Sequence, residues 1–168
     1  MKWLLIAMLS LVCLTGIMAL LGSRLPLAHT ADRSIRFGAP PEKVWGVLDD
    51  AGGMPSWRSD LKSVELLPPR DGKRVHREVW TNGRVIEMER TESRPPERMT
   101  ARIATRDLPF QGGWTYELTP DGGGTILKIT ENGEIANPMA RFVVYYFVGY
   151  TATIDKYLAD LAKKLGAS

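Results

Sequence analysis

Cysteine and histidine are nearly missing from this chain of 168 residues. Cys13 is the only cysteine, so no intramolecular disulfide can form. The histidines are His29 and His76, and with no cysteine beyond position 13 a zinc or iron centre has no ligand set. The expectation is no metal and no cofactor. An excess of charge of one sign is lacking as well: 22 Lys and Arg face 19 Asp and Glu, and without Lys2 the balance is 21 to 19. Cations and acids alternate along most of the chain, whereas a nucleic-acid surface gathers its cations into a patch or stripe. A nucleic-acid partner is therefore not expected.

The third absence is local. From Trp3 to Leu21 the run WLLIAMLSLVCLTGIMALL holds no charged residue. A helix of about 20 residues spans the ~30 Å hydrocarbon core of a bilayer. A cleavable signal has a shorter apolar run, of roughly 7 to 15 residues, and a small-x-small exit that Gly22-Ser23-Arg24 does not supply. The preferred reading is a single-pass transmembrane anchor, with a cleaved signal as the alternative. Leu11-Val12 before Cys13 puts bulky residues where a lipobox has small ones, so Cys13 reads as lipid-facing. Orientation is contested. Arg24, Arg33 and Arg36 favour a cytoplasmic domain, while a head of two residues favours an extracytoplasmic one. The expected setting is a bacterial inner membrane with the domain outside the cytoplasm.

The chain divides into an anchor at 1–22, a tether at 23–32 and one domain at 33–168. Within the domain, Ser34-Ile35-Arg36-Phe37 alternates as a strand, and Pro40-Pro41 opens a helix bearing Val44, Trp45, Val47 and Leu48. A short helical turn is expected at Pro55-Ser56-Trp57. Six strands follow, at Val64–Leu67, Val75–Thr81, Val85–Thr91, Met99–Thr105, Gly113–Thr119 and Thr125–Glu131. Asn82-Gly83 predicts a type I′ hairpin. Gly122-Gly123-Gly124 has no Lys-Ser/Thr after it and lies between strands, which excludes a phosphate loop. Asn137 as cap, Pro138 at the first position and Gly166 past the end predict one helix of 28 residues, about 42 Å long. Its stripe of Val143, Phe147, Tyr150, Ile154, Leu158, Leu161 and Leu165 is expected to face the sheet.

Acid–base chemistry would draw on Glu78, Glu87, Glu89 or Glu131. Ile86 and Met88 share one strand face, which sends Glu87 and Glu89 to the other, towards solvent. Glu131 alternates with Leu127 and Ile129 and is the candidate cavity carboxylate, with Tyr116 as a second proton-transfer candidate. His76, beside Arg77 and Glu78, reads as a solvated strand residue, so no Ser-His-Asp arrangement is expected. On the long helix Phe142, Tyr145 and Val148 fall opposite the stripe. They are expected on an outer face touching the membrane, a second copy or a membrane partner.

The order strand, helix, short helix, six antiparallel strands, long helix resembles the helix-grip fold of the START and pollen-allergen-like superfamily. That superfamily includes the polyketide cyclase/dehydrase and lipid-transport family. Phe37-Gly38-Ala39-Pro40-Pro41-Glu42-Lys43-Val44-Trp45 is similar to its strand-to-helix junction, and Pro55-Ser56-Trp57 to its tryptophan after the second helix. Gly112-Gly113-Trp114-Thr115-Tyr116-Glu117-Leu118 with Asp121-Gly122-Gly123-Gly124-Thr125 is similar to its penultimate hairpin. The resemblance covers residues 33–166 and implies an α+β domain. A curved antiparallel sheet of about seven strands wraps the last helix and leaves a cavity between them. Such a cavity would be lined by Trp57, Trp80, Met88, Ile103, Trp114, Tyr116, Tyr146, Phe147 and Tyr150. The leading expectation is noncovalent binding of a hydrophobic small molecule or lipid. A cyclase- or dehydrase-like enzyme and a structural or assembly module at the membrane are the alternatives.

Overall fold

A computed structural model describes residues 1–166; residues 167 and 168, the end of the expected domain span, lie outside the described residues. The apolar run forms helix α1 (Lys2–Arg24), long and apolar enough to cross a membrane, with no residue of its most apolar 18-residue window buried. A core helix would be covered; this one is bare except towards its last turn, where Gly22 is buried. Only three residues separate the end of α1 from strand β1 (Ala28–Phe37). Residues 28–32, expected in the tether, are thus the first half of a strand. They read as linker because Thr30-Ala31-Asp32-Arg33 carries no apolar alternation, and cross-strand pairing with another segment supplies the order instead.

Helix α2 (Pro41–Asp49) and a 3₁₀ turn (Met54–Ser56) precede β2 (Leu61–Arg70), β3 (Lys73–Trp80), β4 (Val85–Arg94), β5 (Arg98–Ile103), β6 (Phe110–Asp121) and β7 (Gly124–Ile135). All seven strands form one antiparallel sheet in the order β1-β7-β6-β5-β4-β3-β2. The first strand thus closes onto the last, as a helix-grip sheet requires.

Turn chemistry sets the hairpins. Asp71 and Gly72 both take positive φ, +49° and +74°, giving the two-residue loop between β2 and β3, and Gly122-Gly123 does the same between β6 and β7. The Asn82-Gly83 loop differs from its expected type I′ form. Gly83 alone has positive φ, and Trp80 N–H bonds the Arg84 carbonyl across a loop of three residues. Asn82 keeps negative φ because its side-chain oxygen accepts the Arg84 N–H at 3.0 Å.

The expected 28-residue helix is broken. Helix α3 (Pro138–Val143), capped by Asn137 Oδ1 accepting from Ala140 N–H, runs into a π-helical turn at Val144–Val148. It stops at Gly149, whose φ of +83° suits glycine alone, and α4 (Ala152–Leu165) follows. The run Val143-Val144-Tyr145-Tyr146-Phe147-Val148 consists of β-branched and aromatic residues, poor helix formers that do little to resist the break. The predicted stripe survives only from Tyr150 onwards. Ile154, Leu158 and Leu161 are buried with Phe37, Val44, Trp45, Leu48, Met99, Leu118, Leu127 and Ile129 in the main core. Val143 and Phe147 face outwards instead, Phe147 with 76% of its surface exposed.

Two polar latches hold α2 to the sheet and the last helix to the loop before β2. Arg74 grips Asp49 at the end of α2 with two nitrogens, at 2.6 and 3.0 Å, and Arg90 bonds the same carboxylate. On α4, buried Asp160 accepts from the amide and hydroxyl of Ser59, at 3.0 and 2.9 Å, and from Lys156 at 3.2 Å. Burial pushes the Asp160 carboxyl up, but the Ser59 and Lys156 donors outweigh it and hold the group below the ordinary aspartate value. A depressed folded value contributes stability above the unfolded pKa that is lost as pH falls through the folded one. Asp160→Asn is expected to cost about 2 kcal/mol at pH 7. Denaturant titrations should show that gap steady down to about pH 5 and narrowing below about pH 4. A gap that widens in acid would refute the assignment.

Candidate functional site

Between the concave face of the sheet and α4 lies a cavity of about 520 Å³. Its wall is mostly apolar and aromatic: Trp80, Ile86, Met88, Ile103, Trp114, Tyr116 and Ile129 from the sheet, and Val144, Val148 and Tyr150 from the segment between the sheet and α4. Strand parity explains the wall. Ile86 and Met88 point in and Glu87 and Glu89 take the other face, as expected; Glu87 pairs with Arg70 and Arg77, but Glu89, expected in solvent, is buried there beneath Lys73 and Arg102.

Two polar clusters interrupt it. The first is centred on Glu131 of β7, which faces the cavity as its alternation with Leu127 and Ile129 predicts. One carboxylate oxygen accepts from Trp114 Nε1 and from Thr153 Oγ1, both at 2.8 Å. The other lies 3.6 Å from Nε2 of His29, a diagonal cross-strand neighbour on the same face. The His29 ring stacks on Tyr150, with centroids 4.1 Å apart. Gly133 makes room for it, because a β-carbon there would stand 2.5 Å from His29 Cε1.

The second cluster surrounds Arg58, which follows the 3₁₀ turn. Its guanidinium donates to both oxygens of Asp60, at 3.2 and 2.9 Å, and to Glu78 at 3.0 Å, while lying about 5.3 Å over Trp80 and 5.4 Å over Tyr157. Burial opposes its charge, yet Glu78 and Asp60 hold its pKa above the ordinary arginine value. His76 Nε2 is 3.4 Å from the same Glu78 oxygen. Nearby, burial pushes the Tyr116 phenol up to about 12 and raises Tyr157 well above its usual range, so both remain neutral donors.

A family profile described as polyketide cyclase / dehydrase and lipid transport matches residues 28–166. The chain belongs to that family. No curated protein matches the chain. Among solved structures, it is similar to the Zhui aromatase/cyclase of a Streptomyces species (17% identity, 83% of this chain and 94% of that one, TM-score 0.68). It is also similar to a START superfamily protein from Mycobacterium smegmatis (15%, 82% and 97%, 0.66) and to a norcoclaurine synthase from Thalictrum flavum (12%, 82% and 94%, 0.64). At these identities the likeness speaks for the fold.

Measured against the sequence expectations, this member of the polyketide cyclase/dehydrase and lipid-transport family places Trp80, Met88, Ile103, Trp114, Tyr116 and Tyr150 on the cavity wall. Trp57 is not there. It packs behind the wall, edge-on to Tyr157 at 5.2 Å, because the 3₁₀ turn aims its successor Arg58 at the cavity instead. Tyr146 and Phe147 are exposed outside, since the π turn and the break at Gly149 rotate them away from the sheet. Of the three residues expected on an outer face, Tyr145 is half exposed and Phe142 is partly covered by the end of α1. Val148 is also exposed but stands at the cavity mouth beside Gly149. His76, expected in solvent, lines the cavity with its strand mates Glu78 and Trp80. The alternation that put Trp80 inside already implied this. His29 was hidden in the supposed tether, and Arg58, Asp60 and Thr153 carried no periodic signal.

Proposed function

We propose that this chain takes an apolar small molecule or lipid from a membrane surface and holds it in the cavity without covalent chemistry. The observation that carries the reading is the wall itself: roughly 520 Å³ of space lined by aromatic and aliphatic side chains, enough for a drug-sized or single-chain ligand. Three of the four carboxylates that line it are engaged, Glu131 by Trp114 and Thr153, and Glu78 and Asp60 by Arg58, while the fourth, Glu134, is solvent-exposed. One wall donor is free: Trp80 Nε1 is buried without a partner, a place for a ligand oxygen. Helix α1 anchors the domain as a single span, and Tyr145, Tyr146, Phe147 and Val148 lie at the bilayer surface, where amphipathic aromatics are favoured. The mouth at Val148 and Gly149 then opens where such ligands reside.

The second reading, an enzyme acting on the bound ligand, is favoured by His29 beside Glu131 and by the neutral Tyr116 phenol in the same cavity. One experiment separates the two. Full-length protein is extracted in nonionic detergent, and its co-purifying small molecules are identified by native mass spectrometry before and after incubation. Noncovalent binding predicts an apolar ligand returned unchanged, whereas a converted ligand supports the enzyme. Ala101→Trp, which fills the cavity from β5, is expected to reduce the bound fraction at least about tenfold, roughly 1.4 kcal/mol of binding free energy. Equal occupancy in that variant would remove the cavity from consideration.

A further inference from the structure

Arg141 of α3 is 92% buried, with 8% of its surface exposed, and its Nε has no hydrogen-bond partner. No ion pair involves it among the described residues. This is unlike every other buried charge here: Arg58, Glu78, Glu89, Glu131 and Asp160 each have partners. A guanidinium stays charged in proteins, and of its three nitrogens only Nε is fully buried without a partner, so the terminal nitrogens are left accessible to pair with a ligand. Such a group calls for an anion.

Its place in the fold indicates which kind. Ala140 and Val144 of the same helical run line the cavity, while Pro138 and Phe142 pack on Gly22 of α1. At 100° per residue Arg141 lies between these two faces, on the seam where the ligand cavity meets the membrane helix. Gly22 belongs to the last turn of α1, the end of a span long enough to cross the hydrocarbon core, so α3 sits at the depth of lipid head groups. Arg141 does not itself line the cavity but flanks the wall residues Ala140 and Val144, so an apolar cavity, an unpaired cation and the head-group layer lie side by side.

We propose that Arg141 binds the anionic head of an amphiphile, a phosphate or carboxylate, whose chain occupies the cavity. The inference rests on the reading of the cavity as an apolar-ligand site, and it narrows the ligand class from neutral apolar molecules to anionic amphiphiles. Arginine suits the task because its planar fork pairs with both oxygens of a phosphate or carboxylate.

The test uses full-length protein in phosphatidylcholine nanodiscs, with Trp3→Phe so that tryptophan fluorescence reports on the domain, where Trp80 and Trp114 line the cavity. The probes are 12-bromododecyl phosphate and 12-bromododecanol, which quench cavity tryptophans, and inorganic phosphate as a competitor. The phosphate probe should bind at least about tenfold more tightly than the alcohol. Arg141→Gln should erase that preference while leaving the alcohol's affinity unchanged, which also shows that the variant is folded, and Arg141→Lys should keep part of it. Equal binding of both probes to the wild type, or a preference that survives Arg141→Gln, overturns the proposal and leaves the apolar cavity standing. Displacement of the phosphate probe by inorganic phosphate at similar concentration overturns the amphiphile and leaves a soluble-anion site. Failure of both probes to quench overturns the cavity reading itself.

Discussion

Glu131→Ala is expected to lower the stability of the domain by about 3 kcal/mol, because it removes a buried carboxylate that holds two donors, Trp114 N–H and Thr153 O–H, at once. Trp114 N–H and Thr153 O–H both end on one Glu131 oxygen, at 2.8 Å each, and neither has another bond in the cavity. For a domain of this size the loss corresponds to a melting temperature lower by roughly 10 °C. Glu131→Gln keeps an acceptor oxygen and should cost only about 1 kcal/mol. The difference between the two variants isolates the hydrogen bonds from the charge. Thermal unfolding of the full chain in nonionic detergent measures it, and an alanine variant as stable as the glutamine one would show that the cluster contributes no stability. There is a functional side as well. Thr153 is on the first turn of α4 and Trp114 is on β6, so Glu131 ties the helix to the sheet across the cavity. Without it the segment from Gly149 to Thr153 loses its inner anchor, and ligand release should quicken in parallel with the stability loss.

The same residue shows how far the sequence could be read. Its alternation with Leu127 and Ile129 pointed it inwards, since a strand with one buried face specifies the direction of each side chain. The strands, the hairpin loops rich in glycine and the apolar faces of α2 and α4 were legible for the same reason: each announces itself within a few residues. What stayed hidden depended on distant partners. His29 looked like part of a linker, because nothing in Leu27-Ala28-His29-Thr30 shows that Gly133, more than a hundred positions on, leaves a gap for its ring. Arg58 is positioned by a 3₁₀ turn and held by Glu78 on another strand, a pairing without a local signature. The single long helix failed for an energetic reason. Asn137 and Gly166 do cap the segment at its two ends, but a lone glycine inside a helical pattern gives no local sign that it will break the helix. At Gly149 the chain instead uses the one residue type that can take φ of +83° and turn the aromatic run outwards.

The segment that turns outwards follows α3, which packs on α1, and that contact is the source of the second large effect. A β-carbon on Gly22 would lie 1.9 Å from the Pro138 carbonyl oxygen and 2.7 Å from its carbon, both backbone atoms that cannot swing aside. Gly22→Leu must therefore push α3 off α1, at about 1–3 kcal/mol. Because α3 contributes few contacts to the main core, the penalty should appear as local opening instead of global unfolding. Chymotrypsin cleavage at Tyr145, Tyr146 or Phe147 in the π turn is expected to speed up at least about tenfold, matching roughly 1.4 kcal/mol of opening free energy, while the unfolding midpoint of the sheet barely moves. Gly16→Leu is the control, since nothing stands within 4 Å of a β-carbon at that position of α1. If both variants are cut at the same rate, the contact between α1 and α3 does not hold the segment. If only Gly22→Leu is cut faster, α1 is a structural part of the cavity mouth. A span that served only as a tether could then be exchanged for any other apolar helix, but this one could not lose its glycine at the point where it meets the domain.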